Sequence, residues 1–297
     1  MSDAERRKHL YAGDLFVFSP NDATLALCAL ARRMSEEAFA PHYPPTAQDH
    51  MPVADYAAIL AKLKPTFIHH PQAKEHIRDI FKEFDCDLSD SYFDVPRLRT
   101  STSGGYLTSG IAYAFHPHRD TWYSAPNCQI NWWMPVYPVR GDNVMAFHSQ
   151  YFDRDVANTS SEYDYYEWNR TSRRDAAKHV GKDTRKQPYA IEAIDQSADL
   201  RVVAPVGGLL LFAAAHLHSS VENLSGTTRF SIDYRTVNLG DARAKRGAPM
   251  SDSNCTGTTL RDYLRSTDFE RMPEEVALLH DTGDGASRGE LVYDPNA

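Results

Sequence analysis

The sequence is short of cysteine, of positive charge and of long apolar runs, and each shortage excludes something. Only four cysteines occur in 297 residues, at positions 28, 86, 128 and 255, and no two form a CxxC pair. That excludes a disulfide framework or a zinc ribbon, and reduced thiols in a cytoplasm are the plain expectation. Lys and Arg number 32 against 40 Asp and Glu, for a formal net charge of −8. Nonspecific nucleic-acid binding needs a basic footprint, so no nucleic-acid partner is expected. The longest apolar run, Leu209 to Ala215, falls far below the roughly 20 residues that span a bilayer. The N-terminus, Met1-Ser2-Asp3-Ala4-Glu5-Arg6-Arg7, has no apolar stretch of the secretory kind. No membrane partner is expected either, and no motif speaks to oligomeric state.

What is present is ordinary globular composition, 42% hydrophobic and 24% charged, in a chain long enough to bury a core. The first ninety residues read as helix. Ser19-Pro20-Asn21-Asp22 supplies a start signal, after which Leu25, Leu27, Leu30 and Met34 recur at helical spacing. Ala54–Leu63 is a shorter candidate, and Gln72–Phe84 puts Ile77, Ile80, Phe81 and Phe84 on one face. From Ser91 the texture changes to short runs rich in aromatic and β-branched residues. Strands are predicted over Tyr92–Leu98, Tyr106–His116, Gln129–Val136, Val144–His148, Leu200–Ala204, Gly208–Ala214 and Thr228–Val237. Residues 150–195 interrupt them, too long for a hairpin loop, and read as an insertion over a barrel mouth. Helices are predicted over Thr258–Leu264 and Glu274–Leu279. No linker divides the chain. The expectation is therefore one α+β domain over 1–297: helical support in 1–90, a β core in 91–240 and a C-terminal extension in 241–297.

The informative residues are His116-Pro117-His118-Arg119-Asp120 and, about a hundred positions later, His216-Leu217-His218. In extended backbone, side chains at i and i+2 share a face. His118 and Asp120 can thus aim an imidazole and a carboxylate at one point. A distant imidazole would complete a facial triad of two His and one carboxylate, the signature of non-haem Fe(II) oxygenases. His-x-Asp alone is common by chance in a chain with 13 His, and a metal-free strand pair is the bland reading. Arg229 and Ser231, however, share a strand face one strand beyond His218, and a guanidinium beside a hydroxyl makes an anion site.

The pattern H-x-D, about a hundred residues, then H-S-x-x-x-N-x-S-x-x-x-R-x-S resembles the Fe(II)/2-oxoglutarate-dependent dioxygenases, particularly their phytanoyl-CoA dioxygenase-like branch. The resemblance covers roughly residues 92–238. It implies a double-stranded β-helix (jelly-roll) core flanked by N- and C-terminal helices, with Fe(II), 2-oxoglutarate and O2 as cofactors. It implies iron ligation by His118, Asp120 and His218. Arg229 would hold the far carboxylate of 2-oxoglutarate, Ser231 would assist it, and Ser220 is a weaker candidate. The implied activity is hydroxylation of a small polar metabolite or natural-product intermediate, with decarboxylation of 2-oxoglutarate to succinate and CO2. One departure falls on the substrate side, where Gly141–His148 lacks the branch's Pro-Gly-Ser-His element and only Asn143 and His148 match. Asp120 stands where halogenating relatives carry a small residue, which favours hydroxylation.

Other residues carry two readings each. His116 or His216 could replace its neighbour as ligand, or bond to it from behind. Gln129, Asn131 and Trp133 line one strand face, as cosubstrate or substrate contacts or as core. Trp122 is either pocket wall or core. Arg97 and Arg99 either bind an anionic substrate or sit on a solvated face. Tyr163, Asp164, Tyr165, Tyr166 and Trp168 form either a lid over substrate or a packed loop, and the basic run from Arg170 to Lys186 reads as a solvated helix face. Rival functions are desaturation, cyclisation or halogenation at the same centre, or a jelly roll that binds ligand or metal without turnover. A zinc hydrolase is disfavoured, because no Glu stands beside the His pairs in a zincin arrangement.

Overall fold

The helices begin where the sequence caps them. In helix α1 (Asp3–Tyr11), the Ser2 hydroxyl accepts the Glu5 N–H and the Glu5 carboxylate accepts the Ser2 N–H at 2.8 Å. In α2 (Asp22–Phe39), the Asn21 side chain accepts the Thr24 N–H at 2.9 Å, and the Thr24 hydroxyl accepts the Asn21 N–H at 3.0 Å. Helix α3 spans Val53–Ile68, and α4 (Pro71–Glu83) opens on a proline, whose missing N–H would have had no partner there. Leu27, Leu30, Phe39, Leu60, Ile77 and Phe81 are buried in one continuous core with strand residues Trp132, Ile232 and Tyr234. The Phe81 ring meets Phe93 at 5.8 Å and Trp132 at 5.6 Å, seating the helical layer on a sheet. The computed structural model describes residues 1–107, 116–172, 185–249 and 251–283. The middle of the expected strand Tyr106–His116, residues 108–115, and the middle of the basic run lie outside them.

The strands make an α+β chain with two antiparallel sheets. They are β1 (Phe16–Phe18), β2 (Ser91–Phe93), β3 (Arg97–Ser101), β4 (Ile130–Pro135), β5 (Met145–Phe147), β6 (Leu200–Arg201), β7 (Leu209–Ala213), β8 (His218–Ser220), β9 (Arg229–Asn238) and β10 (Leu264–Arg265). The larger sheet runs β1-β7-β4-β9-β2-β10, with β3 also on β9, and the smaller runs β6-β5-β8. Trp133, Leu210 and Phe212 of the larger sheet pack with Phe147 of the smaller one, so the two sheets meet across an apolar seam.

Three expectations shift in detail. The predicted strand Tyr92–Leu98 is two strands, broken at Asp94-Val95-Pro96, where Asp94 turns in to accept the Arg235 N–H at 2.7 Å and proline can give no ladder bond. The predicted helix Thr258–Leu264 is a single 3-10 turn, Thr259–Asp262, after which the chain extends to pair β10 with β2. Strands β1, β8 and β10, of two or three residues each, had no periodic signal to announce them.

Candidate metal centre and cleft

A two-way main-chain pair brings the distant histidines together. The His118 N–H donates to the His218 carbonyl at 3.0 Å, and the His218 N–H donates back at 2.9 Å. Their rings lie 4.4 Å apart. Arg119 is extended (φ −108°, ψ 144°), so Asp120 points to the same side as His118, although it opens a 3-10 turn rather than continuing a strand. One ligand atom from each of His118, Asp120 and His218 lies within 4.8 Å of the others.

The donor set fits a cation. Nδ1 of His118 lies 2.7 Å from the His116 carbonyl, and Nδ1 of His218 lies 2.9 Å from the His216 carbonyl. A carbonyl only accepts, so both Nδ1 atoms carry a proton and each ring turns its Nε2 the other way. Those Nε2 atoms face Asp120 Oδ1 at 3.5 and 3.9 Å. Two ring nitrogens and a carboxylate oxygen at that spacing can share one cation. Burial, and then His118, pushes His218 down to about 4. Burial alone would raise the Asp120 carboxyl, but His118, His218 and Arg235 hold it well below the usual carboxylate range.

Asp120 is anchored through its other oxygen. Asn131 Nδ2 donates to Oδ2 at 2.7 Å and Gln129 Nε2 donates to it at 3.2 Å. The structure thus places Gln129 and Asn131 behind the carboxylate. His216 is buried among Phe147, Phe152 and Phe212, with its Nε2 unpartnered and its pKa pushed by burial to about 3.

Arg229 and Ser231 flank the same apolar seam as His218. The His218 ring meets Phe212 at 5.0 Å and Phe147 at 6.1 Å, and the Arg229 guanidinium lies 6.0 Å from the centre of the Trp133 ring. Arg229 is 6% exposed and has no carboxylate partner among the described residues. It donates from one terminal nitrogen to the Asn143 carbonyl at 3.2 Å, while its Nε and the Ser231 hydroxyl have no partner. Burial pulls its pKa down to about 10. A buried guanidinium beside a bare hydroxyl is a cradle for an anion.

A cleft of about 630 Å³ is lined by residues next to the donors in sequence but by none of the three donors. His116, Pro117, Tyr123, Tyr163, Arg185 and Tyr189 line it. Tyr123 stands edge-on to the His118 ring at 5.4 Å. The other sequence candidates lie elsewhere. Arg97 pairs with Asp94 and Arg99 with Asp233. Trp122 is fully buried and donates to Asp252 at 3.0 Å, and Asp252 also pairs with Arg119 at 3.3 Å. His148 Nε2 meets the Ser219 hydroxyl at 3.1 Å, and Ser220 pairs in register with Met145. In the tyrosine-rich insertion, Tyr165 donates to Asp262, and Tyr166 donates to Asp281 at 2.9 Å. Those two therefore dock the C-terminal extension, and Tyr163 alone of that set reaches the cleft. Sequence reasoning missed Tyr123, Tyr189 and Asp252. Only the aromatic texture of the insertion pointed toward Tyr189, and nothing local marked Asp252.

No family model and no curated protein matches the chain. Solved structures do. The non-heme monooxygenase ThoJ, in its apo form, is 14% identical, covers 78% of this chain and 76% of its own, and has a TM-score of 0.41. EvdO2 from Micromonospora carbonacea var. aurantiaca, complexed with 2-oxoglutarate, is 11% identical over 80% of this chain and 91% of its own, with a TM-score of 0.45. SnoN, a non-heme alpha-ketoglutarate-dependent epimerase from nogalamycin biosynthesis, is 13% identical over 80% and 84%, with a TM-score of 0.37. At these identities and scores the likeness carries no weight by itself, and the chain's own geometry decides. The solved structures it resembles thus include a non-heme monooxygenase and a non-heme epimerase, and in this chain two imidazoles and a carboxylate converge on one point.

Proposed function

We propose that the protein is an Fe(II)- and 2-oxoglutarate-dependent oxygenase that hydroxylates a small polar metabolite or natural-product intermediate, converting 2-oxoglutarate to succinate and CO2. The observation that carries this reading is the pairing of two sites. A three-residue donor set with its ligand atoms close together shares an apolar seam with a buried guanidinium that lacks a carboxylate. One site fits a divalent cation and the other fits the free end of a dicarboxylate.

His118, Asp120 and His218 would hold the iron, which when bound supplies O2 activation and oxidation of an unreactive C–H bond. The protein's own part is electrostatic and positional. Arg229 and the Ser231 hydroxyl bind the distal carboxylate of 2-oxoglutarate. Trp133, Phe147 and Phe212 exclude water between that anchor and His218. Tyr123, Tyr163 and Tyr189 line the cleft with aromatic surface for a substrate, and its size suits a small molecule. Two antiparallel sheets meeting over an apolar seam are what a double-stranded β-helix provides. On that reading, residues 91–240 are the core, 1–90 the helical support, 150–195 the insertion that builds the cleft and 241–297 the extension.

The test is anaerobic Fe(II) binding together with succinate release from 2-oxoglutarate. The wild-type chain is expected to do both, and Asp120→Ala and His218→Ala are expected to lose both. Full succinate formation in either variant refutes the assignment.

A further inference from the structure

We propose that Tyr263, in the C-terminal extension, is a positioning residue that sets the metal affinity of the centre by orienting a chain of amides onto Asp120. The inference rests on the metal reading above and deepens it. Tyr263 lies between the 3-10 turn Thr259–Asp262 and strand β10, is 1% exposed, and donates its hydroxyl to Gln129 Oε1 at 2.8 Å. Gln129 Nε2 donates to Asn131 Oδ1 at 2.9 Å and to Asp120 Oδ2 at 3.2 Å. Asn131 Nδ2 closes the circuit with its 2.7 Å bond to the same Oδ2.

The direction of every bond in this chain is forced. A carboxylate only accepts, so both amides must turn their NH2 groups to Asp120. Gln129 is then left with its oxygen facing Tyr263, and the phenol must donate. Burial raises that phenol well above its ordinary value, so it stays a donor. Gln129 is itself 1% exposed and Asn131 4%, so water has little access to take over a lost bond. The result is a carboxylate with Oδ2 occupied and Oδ1 alone presented to His118 and His218, a one-oxygen ligand held in a fixed plane. Without the Tyr263 hydroxyl, Gln129 Oε1 is buried without a donor. The amide then loses the bond that fixes its far side, and the NH2 that holds Asp120 Oδ2 at 3.2 Å can shift and let the carboxylate swing.

Groups that orient metal ligands from behind typically change metal affinity 10- to 100-fold. Co(II) and Mn(II) affinities of the full chain, measured anaerobically by calorimetric titration, read the effect without turnover. Tyr263→Phe is expected to weaken binding about tenfold, and Gln129→Met and Asn131→Leu by about 10- to 100-fold. The double variant Tyr263→Phe/Gln129→Met separates orientation from general loosening. If Tyr263 acts through Gln129, removing its hydroxyl adds nothing once the amide is gone, whereas independent damage to the fold adds. Equal affinities for wild type and Tyr263→Phe, or additive losses in the double variant, overturn the inference while leaving the metal site standing. A wild-type chain that binds neither metal removes the site and the inference together. If Tyr263→Phe does not fold, Gln129→Met decides: Gln129 is the residue that links Tyr263 to Asp120, so an unchanged metal affinity there overturns the inference and a loss of about 10- to 100-fold supports it.

Discussion

Replacing Arg229 with methionine should make the ligand-free protein more stable and the cosubstrate much weaker, and both magnitudes follow from the site. Arg229 is buried, has no carboxylate partner among the described residues, and its pKa is drawn from its ordinary 12.5 to about 10. A drop of that size corresponds to a cost on the order of 3 kcal/mol for keeping the charge in place at neutral pH. Methionine fills similar volume without the charge; replacing buried ion pairs by apolar side chains stabilises by about 1–4 kcal/mol, a range that brackets the cost of this charge. For a chain of this length that is a rise in Tm of roughly 2–8 °C. Bound 2-oxoglutarate would instead use the charge. Hydrogen bonds to charged groups are worth about 1.5–3 kcal/mol each, so losing two of them weakens binding by roughly 100-fold or more. Thermal melts of the metal-loaded wild type and variant, with and without 2-oxoglutarate, read both effects. At about 100 times its Kd the cosubstrate adds about 2.7 kcal/mol to the wild type, while the same concentration should scarcely move Arg229→Met. A variant less stable than wild type without ligand, or one that keeps the full ligand-induced shift, refutes the reasoning.

Asp252→Ala removes the partner of Arg119 and of the Trp122 indole N–H. Breaking a buried pair typically costs about 3–5 kcal/mol, so a urea midpoint close to wild type would show that the pair contributes little. His280 donates from Nε2 to the Ala242 carbonyl at 2.8 Å, and burial holds its pKa below the ordinary value. The unfolded chain therefore takes up that proton first. The His280 contribution is fully present above the unfolded pKa and is lost as pH falls through the lower folded one. His280→Gln should accordingly lose less stability than wild type on acidification from neutral pH, and identical slopes of stability against pH would contradict this.

The residues legible in the sequence are those whose geometry is local. His118 and Asp120 share a side because one extended residue separates them, and Arg229 and Ser231 because a strand alternates. The helices α2 and α4 were legible from spacing and capping, which are also local. Partners across strands were not legible. Arg97 and Arg99 stood out as charges, yet Asp233, which pairs with Arg99, stands across the β3–β9 ladder, and no spacing along the chain foretells a register. Gln129 and Asn131 were singled out on the right face, but toward cosubstrate. Their bond to Asp120 depends on how the loop before β4 folds back. Asp252 and Tyr263 read as parts of a polar tail, because their partners lie more than a hundred positions earlier.

The mutual main-chain clasp between His118 and His218 has an evolutionary corollary. Two backbone bonds keep the imidazoles adjacent whatever the length of chain looping out between them. Much of the cleft wall, Tyr163 and Tyr189 included, is drawn from that loop. If the proposed function holds, exchange of this loop would change which compound is accepted while the donor set stays put. A graft replacing residues 150–195 is the natural starting scaffold for altering selectivity by design.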